Sequence, residues 1–418
     1  MRGVMLLSDS KSLTASLLSE PPITSSHRSR LLPVLSAVSA LVVAALLISR
    51  SAALGVSAAD GSTNAAGGPL RVATVVVTFF APEFRPWRHY FEDTETLAFV
   101  TPEPLLYSER LRALVVCTGM GPRQSSAAVT ALGFDPRFNL SEAVWLISGI
   151  AGIDPARGSV GSVVLADQIV DMAVAAYIDR AEPGFPSSWS TGWLPLTCTE
   201  PFCRGHGSQN EARAGQIAFE LDATLVGWAA RRASAVALPD AAALQATRAP
   251  FGAAGYAVAA QPPAVLRGDT LSGATVWVGF AALAWARQWV SYWTGGRGVL
   301  HTSAMEDSAV AVAMRLLHRA GRANSSRLLS LRAAANFCTQ PPDVAIGDFV
   351  AGFGAADRSD SKRDGGSNNN NNNNDNDDDN DTIFWDPGRD PVSSAAAANV
   401  HLVAAELVRA IAASEHPQ

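Results

Sequence analysis

A carboxylate and a carboxamide thirty residues apart, Glu306 and Asn336, are the side chains whose types and placement point most directly to ligand chemistry. Met305, Glu306 and Asp307 stand where a strand ending near Ser303 gives way to an amphipathic helix, and Asn336 closes a later apolar strand. A carboxylate at Glu306 can accept one O–H on each oxygen, which suits a vicinal diol. A helix-start carboxylate also complements the macrodipole, a role Asp307 fills equally well. Asn336 offers a donor and an acceptor to a ligand edge, although turn chemistry is the commoner use of Asn at a strand end. Arg332, four residues earlier, can pair with a carboxylate. Two glycine-bearing turns follow other strands: Gly119-Met120-Gly121, and Gly149-Ile150-Ala151-Gly152 after Ser148. Such turns expose backbone N–H groups to an anion or a polar ligand edge, and they also serve as ordinary tight turns. His89, His206 and His301 have no partner at triad or metal spacing, and no GxSxG, P-loop or HExxH motif occurs. Neither a metal nor a cofactor is therefore expected.

The elements that must position these groups follow from hydrophobic patterning. Strands are expected over Leu70–Phe80, Leu111–Thr118, Ala143–Ser148, Ser162–Val170, Val299–Ser303 and Leu328–Ala333. Helices are expected over Pro122–Leu132, Glu211–Ala235, Gly279–Trp293, Ser308–Ala320 and Ala395–Ala413. Their alternation predicts an α/β layered sheet, in which ligands sit at strand ends. Trp285, Trp289 and Trp293 recur every four residues and read as the buried stripe of a helix, with a base-stacking surface as the lesser alternative for them and Trp277. Residues 181–209 read as loop. Residues 355–382, with the tract Asn368–Asp381, read as a disordered surface insertion because they carry almost nothing to bury.

Of the 418 residues 48% are hydrophobic and 17% charged, enough for a large core. The net charge of −6 comes largely from the Asp-rich tract, and no basic stripe with interleaved aromatics occurs, which excludes nucleic acid as the expected partner. Residues 31–49 (LLPVLSAVSALVVAALLIS) are uncharged and long enough to cross a bilayer. Arg28 and Arg30 before them predict a cytosolic tail at 1–30, an anchor at 31–49, a linker at 50–68 and a body at 69–418 beyond the membrane. A signal sequence cleaved near Val56-Ser57-Ala58 is the alternative, which would release a secreted protein. Asn139-Leu140-Ser141 and Asn324-Ser325-Ser326 are N-glycosylation acceptors that agree with this compartment. Cys198 and Cys203 are close enough for a local disulfide, whereas Cys117 and Cys338 sit in apolar strand-like runs.

At these residues the chain resembles the fungal-type purine nucleoside permeases. The matching segments are VVVTFFAPEFRPW (75–87), VVCTGMGPRQSSAAVTAL (115–132), WLISGIAGIDPARGSVGSVVLAD (145–167), LRGDTLSGATVW (266–277), YWTGGRGVLHTSAMED (292–307) and LRAAANFCTQPP (331–342). The resemblance, which excludes the leader and the Asn-Asp tract, implies a nucleoside phosphorylase-like body, a three-layer α/β/α arrangement around a central mixed sheet; the apolar run at 31–49 sets one N-terminal transmembrane helix before it. It implies that Met305 and Glu306 hold the ribose and that Asn336 meets the purine. Gly119, Met120, Gly121, Gly149, Ile150, Ala151, Asp269 and Thr270 are the further expected nucleoside contacts. If the protein is an enzyme, Asn336 and Arg332 are the expected catalytic residues, with Asn336 able to stabilise a leaving base but not to protonate it. The Arg and Ser that grip phosphate in phosphorylases are replaced by Ile147 and Ile150, which weakens the case for phosphorolysis; Arg85, Arg88 and Arg123 stand nearby as substitutes. The implied function is nucleoside binding at the cell surface in the service of uptake. A single span forms no transport path by itself, so a transport partner or a homo-oligomer enters the expectation. An exoplasmic nucleosidase or phosphorylase is the alternative, and a member that keeps the fold without the site is a third.

Overall fold

Val75, Val76 and Val77 show how the layers arise. They lie in β2 (Thr74–Thr78), all five of whose residues are buried. Val76 enters one hydrophobic core while Val75 and Val77 enter another on the opposite face. A strand covered on both faces reads as a continuous apolar run, which is why periodicity marks it so clearly. In the computed structural model, which describes residues 68–196, 198–204, 215–352 and 390–414, β2 lies inside a ten-stranded sheet.

The strands that reach the site are β2, β5 (Ala113–Cys117), β7 (Val144–Ile153), β12 (Val265–Ser272), β13 (Leu300–Ala304) and β14 (Leu328–Phe337). β2 pairs in parallel with both β5 and β7, and β14 runs parallel to β7. β8 (Val163–Asp171) is parallel to β12 and antiparallel to β14, and β13 is antiparallel to β7. The sheet is therefore mixed, as expected. It also closes on itself locally, since β8, β12, β13, β7 and β14 form a ring of paired neighbours. β4 (Leu105–Ser108) and β3 (Glu95–Leu97) extend the other side of the sheet.

Helices cover both faces. On one, α2 (Pro122–Phe134) crosses α6 (Asp307–Arg319), and their Val129, Leu132, Met314 and Leu317 pack under Val75 and Val77. The crossing is close: a Cβ on Gly133 would lie 2.2 Å from Leu317 Cδ2. On the other face α8 (Pro391–Ala413) sends Ala396, Val400, Val403 and Leu407 into the core shared with Val76 and with α3 (Ala223–Ala233). Asp390 caps α8 by accepting Val392 N and Ser393 N, with Pro391 at its first position. By length and hydropathy α8 passes as a membrane span, but it is here a core helix. α5 (Phe280–Trp293) buries Trp285, Trp289 and Trp293 against Leu271 and Leu300, so the tryptophan stripe is core as expected.

Three expectations change. The helix expected over 211–235 is interrupted: 211–214 lie outside the described residues, 218–220 form β11 (Ala218–Glu220), paired antiparallel with β8, and α3 follows. Asp222 separates them by accepting Leu225 N at 2.8 Å, an N-cap that starts the helix late. β12 was not expected, because Arg267, Gly268, Asp269 and Thr270 break its apolar pattern, yet it sits between β8 and β13. The segment 181–209 is not all loop: β10 (Trp193–Pro195) pairs with β9 (Ala175–Tyr177). Cys198 and Cys203 form a disulfide with Cα atoms 5.7 Å apart, and Cys117 and Cys338 are free and buried. The expected tail, anchor and linker up to residue 67, the insertion at 355–382 and His206 lie outside the described residues.

Candidate functional site

Glu306 is 4% exposed at the junction of β13 and α6, and both its oxygens are engaged. Oε1 accepts Gly121 N at 2.9 Å and Oε2 accepts Arg332 Nη2 at 2.9 Å. Gly121 can approach because it has φ 89°, and Gly119 before it has φ 87°, a backbone region that favours glycine. The glycine turn after β5 thus directs an N–H at the carboxylate of the next site strand. Glycine is needed at Gly149 for a different reason: a Cβ there would meet Arg332 Nη1 at 2.5 Å and Glu83 Oε1 at 2.8 Å.

Arg332 is the hub. Its side chain is 2% exposed and donates Nε to Asp307 Oδ2 at 3.0 Å, Nη2 to Asp307 Oδ2 at 2.6 Å and Nη1 to Ile150 O at 2.9 Å. Its guanidinium also lies 4.4 Å from the centre of the Phe79 ring. Burial works against its charge, but Asp307, Glu306 and Glu83 outweigh burial and hold it firmly protonated. Asp307, fully buried, takes a further hydrogen bond from Ser330 Oγ.

Glu83 is the site residue that pattern reading missed. It belongs to α1 (Ala81–Phe84), the short helix that follows β2. Oε2 accepts Phe79 N at 2.8 Å and Oε1 accepts Ile150 N at 2.8 Å, so one carboxyl ties the first site loop to β7. Burial raises its pKa to about 8, with Glu306 adding to the rise and Arg332 opposing it. The signal available beforehand was an acidic residue three positions after a buried strand, in APEF, where the neighbouring arginines drew attention instead.

Several of these groups meet at an open pocket. Glu83, Met120, Ile150, Ala151, Met305, Glu306, Arg332 and Asn336 all face it. Gly119, Gly121 and Gly149, three further expected contacts, are not among its lining residues; Gly121 reaches Glu306 through its backbone N–H, and Gly149 leaves room for Arg332 and Glu83. Asn336 projects from a β-bulge between Ala334 and Asn336 in the β14–β7 ladder, a device that re-aims a side chain. Its Nδ2 donates to Phe337 O at 3.1 Å. The loop after β12 supplies Thr275, Val276 and Trp277, and Cys338 follows the end of β14. Burial pushes the Cys338 thiol well above its usual range.

Asp269 and Thr270 are likewise not brought here. Both lie within β12, away from the pocket lining. Asp269 accepts Val299 N and fixes the start of β13, and Thr270 Oγ1 donates to Thr302 O. Both serve the β12–β13 pairing, in a strand that was not foreseen. On the phosphate side, Ile147 is fully buried in the sheet core, whereas Ile150 faces the pocket. Arg85, Arg88 and Arg123 are exposed and none lines the pocket; Arg88 pairs with Glu103. Arg332, the pocket cation, is already bound by Glu306 and Asp307. Among the described residues no cluster of His, Cys, Asp and Glu suits a metal.

The sequence pattern of the purine nucleoside permease (NUP) family matches residues 71–359, which include every residue that lines this pocket. A probable purine nucleoside permease of Schizosaccharomyces pombe is 30% identical over 227 residues, covering 53% of this chain and 63% of the relative. A purine nucleoside permease of Candida albicans is 23% identical over 285 residues, 66% of this chain and 67% of the relative. The chain thus spans under two thirds of the S. pombe relative's length. Among solved structures, the 5′-methylthioadenosine/S-adenosylhomocysteine nucleosidase of Neisseria meningitidis is similar with TM-score 0.44 and 15% identity, over 82% of this chain and 99% of that one. The chain belongs to the purine nucleoside permease family.

Proposed function

We propose that this chain binds purine nucleosides at the cell surface and serves their uptake, with residues 31–49 as its membrane anchor and the pocket domain outside. The observation that carries the reading is one pocket lined by both Glu306 and Asn336. Arg332, which grips Glu306, and Asn336 are four residues apart along β14, roughly 13 Å at strand rise. That span suits a diol-bearing sugar at the carboxylate and a bicyclic base at the carboxamide. The family membership supports the same ligand class. With a single span, passage across the membrane falls to a partner or to further copies of the chain.

Calorimetric titration of the purified chain with inosine, adenosine and uridine tests this. Saturable binding of the purine nucleosides, and weaker binding of uridine, is expected. Binding of none of the three overturns the reading.

Glu83 favours a second reading, hydrolysis of the N-glycosidic bond. A carboxyl with a pKa near 8 beside the pocket can exchange a proton near neutrality. Water would give its hydroxyl to the anomeric carbon and a proton to the departing base. Release of free hypoxanthine from inosine without phosphate would establish this reading, and its absence would leave binding alone. The lack of an unengaged pocket cation argues against phosphate as the acceptor.

A further inference from the structure

We infer that a second cavity, divided from the nucleoside pocket by Thr275 and Trp277, takes a substituent that is carried on the base and reaches around that divide, so that the ligands include purine nucleosides bearing an aromatic or apolar group on the ring. This rests on the nucleoside reading above. Thr275 and Trp277 line the second cavity as well as the first. A residue that lines two cavities is their shared wall.

The wall stands at the base end. Glu306 and Arg332 engage Gly121 and Asp307 at one end of the pocket. The loop bearing Thr275 and Trp277 is tied to the other end, since Gly279 N donates to Cys338 O at 3.0 Å, two residues beyond Asn336. A base held by Asn336 therefore faces Trp277, and whatever that base carries outward points at the second chamber.

The chamber's chemistry selects the substituent. Tyr177, Trp193 and Trp285 form a chain of rings with centroids 5.1 Å and 6.2 Å apart. Trp285 Nε1 donates to Trp193 O at 3.1 Å, and the β9–β10 pairing places the exposed Tyr177 opposite Trp193. Such rings offer offset or edge-to-face contacts to an incoming ring. Trp277 Nε1 is buried with no hydrogen-bond partner among the described residues. A buried N–H without an acceptor is costly, so a ligand that supplies one at the wall gains by it. Arg180 stands on the same chamber, exposed, and leaves its outer side polar.

The test compares adenosine with N6-benzyladenosine on the full 418-residue chain by calorimetry. The benzyl compound should bind about tenfold more tightly than adenosine, through burial of its ring. Ala282, on the chamber side of α5, is outside the nucleoside pocket. Ala282→Phe should fill the chamber and remove the tenfold gain while leaving adenosine affinity unchanged. Trp193→Ala should reduce the gain by removing the central ring, again sparing adenosine. Benzyl binding no tighter than adenosine binding in the unaltered chain overturns the chamber assignment while the nucleoside reading stands. A benzyl gain that survives both substitutions, or adenosine affinity that falls with it in both, overturns the assignment too. Absence of binding by adenosine and inosine overturns the nucleoside reading, and this one with it.

Discussion

Replacing Glu83 by Gln should change the pH dependence of stability in a way that a merely structural contact cannot. Burial raises the Glu83 carboxyl from 4.5 to about 8. For a group raised on folding, its contribution is fully present below 4.5. It is lost progressively as pH rises to about 8, because the unfolded chain releases the proton first. At about 1.4 kcal/mol per pH unit, that displacement sets an upper bound of about 5 kcal/mol on the loss. Gln cannot titrate, so the variant escapes this loss. It has its own defect: Phe79 N and Ile150 N both donate to the Glu83 carboxyl, and an amide offers only one acceptor oxygen. The orphaned N–H costs about 1–3 kcal/mol at every pH. Urea denaturation followed by tryptophan fluorescence should therefore find the variant less stable near pH 5 and level or more stable above about pH 8. The difference between the two proteins isolates Glu83, since all other titrating groups are common to both. Parallel curves with a constant gap across that range would refute the buried, protonated carboxyl and with it the proton-exchange role.

Three further outcomes are expected. Glu306→Ala should weaken nucleoside binding by about 1.5–3 kcal/mol in calorimetry, the worth of a charged hydrogen bond; unchanged affinity would remove Glu306 from the binding site. Gly133→Ala should lower stability by about 1–3 kcal/mol in denaturant, because its Cβ has no room against Leu317 where α2 crosses α6; an unaltered midpoint would contradict the close packing. Cys117, whose thiol burial pushes up to about 11, and Cys338, raised further, should resist iodoacetamide in the native protein and react in denaturant. Rapid native alkylation seen by mass spectrometry would show that the pocket wall around Cys338 opens.

The sequence alone determined the strands buried on both faces, because Val75–Val77, Val115–Val116 and Trp145–Ile147 must be apolar throughout to serve two cores. It likewise placed Glu306 and Asn336 at the ends of elements that meet a pocket, and the tryptophans of α5 in a core, since these depend on local period and position. β12 escaped for the opposite reason: Arg267, Asp269 and Thr270 satisfy neighbours that only the sheet supplies, so its pattern looks polar. The same absence of partners made Asp269 and Thr270 look available for a ligand. Arg332 was readable as a cation that pairs, but its choice of Asp307 and Glu306 is a matter of strand register. Glu83 was decided largely by tertiary structure. Its hydrogen bond from Phe79 N is local, but its burial, its second donor Ile150 N and its raised pKa come from β7 and from charges more than two hundred residues away in sequence.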